Sequence, residues 1–152
     1  MQINVDGLIN ASSKIVWDTI TDIKSAEHNI KGIDSIEILK EPEDGLLGLK
    51  WRETRTMMGR SATEDMWISA LEDGKWYEVD AESHGTKYKT RITLKEQNGG
   101  THYEMVFNAE PITLSAKLMS LTMIFFRGSL LKLLRADFED IKTAAEVKTN
   151  VG

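Results

Sequence analysis

The chain has 152 residues, of which 41% are hydrophobic and 28% charged, with a formal net charge of −5 and no cysteine. That size suits one domain over residues 1–152 with a core of its own, and the composition is far from that of a disordered chain. The acidic balance argues against a nucleic-acid partner, and the missing thiols exclude disulfides, thiolate nucleophiles and Cys-ligated metals.

The opening segment MQINVDGLIN has neither a basic n-region nor an apolar h-region, so no secretory signal is expected there. With no cysteine to suggest an oxidising compartment, the expected location is cytoplasmic. Ile3, Val5 and Ile9 recur at period two, which predicts a half-buried strand over residues 2–10. Ser12 or Ser13 then caps a helix running to Asp22, with Ile15, Val16, Thr19, Ile20 and Ile23 on one side. A second short helix is expected over residues 25–30, ending at Lys31-Gly32.

From residue 35 to residue 111 the pattern becomes one of strands punctuated by turns: residues 42–45, Gly59, Asp73-Gly74, His84-Gly85 and Asn98-Gly99. Asp-Gly and Asn-Gly steps favour tight hairpins because type I′ turns need positive φ at both central residues. A two-residue turn at Asp73-Gly74 pairs Ala70 with Tyr77, Ile68 with Val79 and Met66 with Ala81. A turn at His84-Gly85 pairs Ala81 with Tyr88, Val79 with Thr90 and Tyr77 with Ile92. A turn at Asn98-Gly99 pairs Ile92 with Met105, Thr90 with Phe107 and Leu94 with Tyr103. The three turns pass one apolar row from strand to strand, although a slip of one residue would turn every side chain over. On the other face Glu82 meets Lys87, Asp80 meets Lys89 and Glu78 meets Arg91, the opposite-charge pairing such a register requires. Trp67, Leu71 and Trp76 are expected on that outer face as an exposed patch.

The last element, residues 112–147, contains no proline. Its second half is amphipathic, with Leu131, Leu134, Phe138, Ile141 and Ala145 opposed to Lys132, Arg135, Glu139 and Lys142. Its first half is apolar on two sides. Leu114, Leu118, Leu121 and Phe125 form one stripe; Met119, Met123, Phe126 and Leu130 form another. A sheet can take only one of them; the other must meet the short helices, a second subunit, a ligand mouth or a membrane surface. The segment is therefore expected to bend near Gly128-Ser129 over a cavity mouth, or to pack against a second copy as a homodimer. The apolar run 118–126 is about half the ~20 residues of a bilayer span and is closed by Lys117 and Arg127, so no transmembrane helix is expected.

The strand pair around Gly59 carries the candidate chemistry. Trp51, Glu53, Arg55 and Met57 share a side, as do Ala62, Glu64, Met66 and Ile68. Because Met66 and Ile68 belong to the dry row, Glu53, Arg55 and Glu64 are expected to point inward, with Arg55 opposite Glu64 across a Gly59-Arg60 turn. Buried charges need partners, so this is either a self-compensating ion cluster or a polar anchor inside an apolar pocket. Glu53 and Glu64 are the candidates for general acid–base work. Tyr77, Tyr88, Thr90, Tyr103, Met105 and Phe107 continue the lining, and Met119 and Met123 complete it from the helix. Ala116 and Ser120 are small enough to leave room opposite the sheet. His28, His84 and His102 lie far apart in the pattern, so neither a metal nor another cofactor is expected.

The order of elements resembles the START-like or Bet v 1-like superfamily, also called helix-grip or SRPBCC. INASSKIVWDTITDI resembles its first strand and helix, GLKWRETRTMMGRSATEDM a strand pair of its polyketide cyclase/dehydrase-like branch, and FEDIKTAAE its final helix. The resemblance implies an α+β helix-grip fold: a curved antiparallel sheet around a long C-terminal helix, with two short helices after the first strand. It implies binding of a hydrophobic small molecule, lipid, polyketide-like or quinone-like, in a cavity between sheet and helix. A cyclase/dehydrase-like or hydrolase-like enzyme using Glu53 and Glu64, and a partner-binding protein acting through its last helix, are the alternatives.

Overall fold

The computed structural model describes residues 1–57 and 59–151. Strand β1 (Gln2–Ile9) leads into helix α1 (Ser13–Thr21). Ser12 is the cap, its side chain accepting from the Ile15 N–H at 3.2 Å. A 3-10 turn (Ile23–Ser25) and a single helical turn, α2 (Ala26–Asn29), follow, shorter than the expected second helix. Strands β2 (Ile33–Lys40), β3 (Lys50–Met57), β4 (Arg60–Glu72), β5 (Trp76–Ser83), β6 (Thr86–Gln97) and β7 (Gly100–Pro111) form an antiparallel meander, and β1 closes it against β7. Helix α3 (Leu114–Met123), a 3-10 turn (Ile124–Phe126) and helix α4 (Arg127–Val151) complete the chain.

The turn chemistry explains the register. His84 and Asn98 adopt positive φ, 49° and 51°, each followed by a glycine that does the same, as type I′ turns demand. The β5–β6 and β6–β7 pairings are those expected, including Glu82 with Lys87, Asp80 with Lys89 and Glu78 with Arg91. Arg91 and Lys89 reach Glu78 at 2.9 and 3.2 Å.

The β4–β5 hairpin departs from expectation in two places that cancel. Glu72 pairs with Trp76, so three residues turn the chain instead of two, and Ala70 faces Glu78 instead of Tyr77. Ser69 is the extra residue of a bulge, beyond which Met66–Ala81 and Ile68–Val79 return to the expected register. Between bulge and turn the faces exchange. Leu71 therefore packs against the core and leaves the outer tryptophan patch. Each tryptophan carries a cation: Arg91 lies 3.8 Å from the Trp76 ring centre and Lys50 5.9 Å from that of Trp67.

Helix α4 crosses the inner face, burying Leu134, Phe138, Ile141 and Ala145, and packs against β1, α1 and α2. Polar clamps hold it there. The Asn10 and Lys31 N–H groups donate to Glu146 and Asp140, each at 2.9 Å, and the Lys148 ammonium donates to the Thr19 hydroxyl at 3.0 Å. Gly7 lets the helix approach: a Cβ there would lie 2.5 Å from the Phe138 ring.

The first half of the C-terminal element differs most from expectation. The irregularity falls at Ile124–Phe126, ahead of Gly128. Of α3 only Ala116 is buried, while Leu114, Leu118, Met119, Leu121, Ile124 and Phe125 are between 62% and 85% exposed. The stripe of Leu114, Leu118, Leu121 and Phe125 stays in solvent, and of the second stripe only Met123 and Leu130 turn toward the cavity. The helix is held at its ends instead: Thr113 caps it and donates its N–H to the Gly85 carbonyl at 3.3 Å, and Arg127 donates to the Gln2 carbonyl at 3.1 Å.

Candidate functional site: a cavity with a buried ion cluster

A curled sheet and a straight helix cannot stay in contact along their whole length, and where they part a cavity of about 310 Å³ opens. Strand alternation lines its walls with every second residue of the dry row. Trp51, Glu53, Arg55 and Met57 come from β3; Ala62, Glu64 and Met66 from β4; Tyr77, Val79 and Ala81 from β5. Tyr88, Thr90 and Ile92 of β6 and Met105 and Phe107 of β7 complete the sheet side. Leu130, Leu133, Leu134, Asp137 and Ile141 of α4 form the opposite wall, with Met123 from the end of α3. Residues of α1, α2 and β2, among them Thr19, Ile20, Asn29 and Ile33, close one end. Met57 and Met123, 37% and 38% exposed, touch both cavity and solvent and so mark its rim.

One wall carries charge. Arg55 holds Asp137 through two parallel bonds, Nη1 to Oδ1 at 3.1 Å and Nη2 to Oδ2 at 2.8 Å, while its Nε donates to Glu53 Oε1 at 2.5 Å. Trp51 Nε1 approaches the other Glu53 oxygen at 3.4 Å. The three charged side chains are between 7% and 16% exposed, so water contributes little to their solvation. Burial works against the Arg55 charge, but the Asp137 hydrogen bond and the charges of Glu53 and Asp137 outweigh it and hold the guanidinium protonated. Burial pushes the Asp137 carboxyl up, and Arg55 offsets part of that. Among the described residues, three of the five N–H donors of Arg55 are engaged in these bonds and two have no acceptor.

Glu64 stands apart from this cluster. It faces Glu53 directly across the β3–β4 pair, and Arg55 faces Ala62. The expected Arg55–Glu64 opposition fails because Met57 pairs with Arg60, which moves the register by two residues and keeps every side chain on its expected face. Burial raises the Glu64 pKa first and the Glu53 charge raises it further, with His84 and Arg55 pulling it back. Among the described residues no hydrogen bond or ion pair reaches its carboxyl group. Tyr88, half-buried, is raised by burial and by the Glu64 charge. It stacks on Phe107 with ring centres 5.9 Å apart.

Two expected lining residues lie elsewhere. Tyr103 is wholly buried behind the cavity wall, its ring 5.3 Å from that of Phe138 and its hydroxyl without a partner among the described residues. Met119 is 64% exposed on α3. The cavity is lined on the helix side by α4 and Met123; Ala116 is buried but does not line it, nor does Ser120. Asp137 is missing from the expected set although the sequence carries its signal. It stands three residues after Leu134 and four before Ile141, on the inner face of an otherwise apolar stripe.

No family model matches the chain, and no curated protein does so. Solved structures do. A protein of Thermus thermophilus, TTHA0849, superposes with a TM-score of 0.81 at 11% identity, over 97% of this chain and 99% of that one. The di-domain ARO/CYC BexL of the BE-7585A biosynthetic pathway gives 0.79 at 18% identity, over 96% of this chain and 50% of its own. A START superfamily protein from Mycobacterium smegmatis gives 0.69 at 14% identity, over 97% and 95%. Curved seven-stranded sheet, gripped C-terminal helix and intervening cavity together give this chain the helix-grip fold of the START-like and Bet v 1-like proteins.

Proposed function

We propose that the chain binds a hydrophobic small molecule in the cavity between sheet and α4, with the molecule's polar end against the Arg55 and Glu64 wall. The observation that carries this reading is the combination of an apolar, partly open space of about 310 Å³ with one buried cation that keeps donors free. Pockets of that size with few polar groups orient small ligands by one end. A carbonyl, hydroxyl or carboxylate would accept from Arg55, and a protonated Glu64 would donate. Lipid-like, polyketide-like and quinone-like molecules share this chemistry.

Native mass spectrometry of protein purified from its own cells, without detergent, tests the reading. A co-purifying mass that disappears on denaturation, and is absent from a Thr90→Trp variant with a filled cavity, is the expected result. A wild-type protein that carries nothing and fails to enhance the fluorescence of anilinonaphthalene sulfonate contradicts it.

A second reading is cyclase/dehydrase-like or hydrolase-like chemistry. Its support is Glu64, a carboxyl group with raised proton affinity facing an apolar space beside Tyr88. Glu64→Gln separates the two. A binder keeps affinity within about tenfold, the worth of one hydrogen bond of ~1 kcal/mol or slightly more. An acid–base catalyst loses about 10²–10⁴ in turnover.

A further inference from the structure

We infer that α3 is a docking helix for an anionic lipid bilayer, lying in the plane of the membrane with its outer stripe in the interface. Leu114, Leu118, Leu121 and Phe125 are 76%, 62%, 63% and 85% exposed. On a helix turning about 100° per residue they share one side, opposite Ala116 and Met123, which face the protein. Met119 and Ile124, 64% and 68% exposed, widen the apolar surface on either flank.

The charge pattern selects the occupant. Residues 111–136 contain four cations, Lys117, Arg127, Lys132 and Arg135, and no carboxylate, in a chain whose net charge is −5. Clusters of this sign beside an apolar helix face match anionic head groups, each cation near the surface contributing about 1 kcal/mol. A second copy fits poorly. A two-fold contact through α3 would set the same cations against themselves with no acid in the segment to answer them. Crossing the bilayer also fits poorly, although the helical stretch Leu114–Asn150 holds a window with mean hydropathy 1.3. Its second half belongs to the core, and the ten residues of α3 extend ~15 Å, half of the ~30 Å hydrocarbon thickness.

Met123 ends α3 and lines the cavity, so a docked helix sets the cavity rim at the membrane surface. Taking up the apolar ligand there is a consequence that rests on the proposed function; docking itself does not.

Flotation of the full chain with phosphatidylcholine vesicles, and with equimolar phosphatidylcholine and phosphatidylglycerol vesicles, tests the inference. The protein should float with the anionic vesicles, at least tenfold more weakly with the neutral ones, and less at high salt. Leu118→Ser with Leu121→Ser and Phe125→Ser should lower anionic-vesicle binding at least tenfold with circular dichroism unchanged. Lys117→Glu with Lys132→Glu should lower it only where anionic lipid is present. Absence of flotation, flotation unaffected by the apolar substitutions, or a dimer on a sizing column that those substitutions dissociate would overturn docking. Anilinonaphthalene sulfonate binding in lipid-free buffer is read in parallel. Its retention alongside lost flotation leaves the cavity reading standing, and the reverse leaves docking standing.

Discussion

Glu53 and Glu64 face each other across one strand pair, yet their surroundings assign them opposite parts. Glu53 accepts from Arg55 and helps keep that cation in place, whereas Glu64 meets burial and a like charge, both of which favour its protonated form. The folded state therefore keeps the Glu64 proton at pH values where the unfolded chain, titrating near 4.5, has released it. Stability from this site is complete below about pH 4 and is lost as pH rises through the folded value. Glu64→Gln should consequently melt higher than the parent at neutral pH, with the gap closing in acid; a variant less stable at neutral pH contradicts this. Burial shifts the Asp137 carboxyl in the same direction as Glu64, so Asp137→Asn is decided by its partner and not by its own titration. The substitution leaves a buried guanidinium with one carboxylate fewer and should cost about 3 kcal/mol, measured by urea unfolding. Tyr103→Phe makes a third case. Its hydroxyl has desolvation to suffer and no partner among the described residues to compensate, so the change should be neutral or stabilising by ~1 kcal/mol. A loss above that size would mean the hydroxyl is hydrogen-bonded after all.

Among the elements, strands are more legible in the sequence than helices, and the reason is periodicity. A hairpin turn fixes parity, parity fixes which residues face inward, and a shift of two residues at Gly59 leaves every face intact. The Ser69 bulge is invisible because nothing in the residues around Ser69 marks an extra, unpaired position, and only the Leu71 side chain records it. Helix faces depend on what lies opposite. The Leu134 to Ala145 stripe meets the sheet, but the first half of the element shows two apolar stripes with no way to tell from sequence that one stays in solvent and only Met123 and Leu130 of the other turn inward. Asp137 is hard to read for a related reason: an acid within an apolar stripe gains meaning only when its partner, Arg55 on β3, is known to face it. Gly7 is a position where strand β1 and helix α4 meet closely. Adding a methyl group there drives it into the Phe138 ring, so Gly7→Ala should destabilise by about 1–3 kcal/mol, and Phe138→Leu in the same chain should recover part of that loss.

At the scale of the whole molecule, the sheet does two jobs that compete. It must close on α4 for stability, yet a space remains where close contact would have contributed more packing. Such a space costs stability when empty and returns it when filled, which ties ligand occupancy to melting temperature. A ligand at a hundredfold excess over its dissociation constant adds about 2.7 kcal/mol to the folded state. For a chain of this length each kcal/mol moves Tm by ~2–4 °C, so occupancy should raise Tm by about 5–10 °C. Thr90→Trp places an indole in the middle of the same space. If the space is a binding cavity, that variant should melt at or above the ligand-free parent and show no further rise when ligand is added. If the parent's melting temperature is unmoved by any lipid-like, polyketide-like or quinone-like compound while Thr90→Trp melts far lower, the cavity is instead a tightly constrained part of the core. Differential scanning calorimetry of the two proteins, each with and without lipid extracted from the source cells, makes the comparison directly.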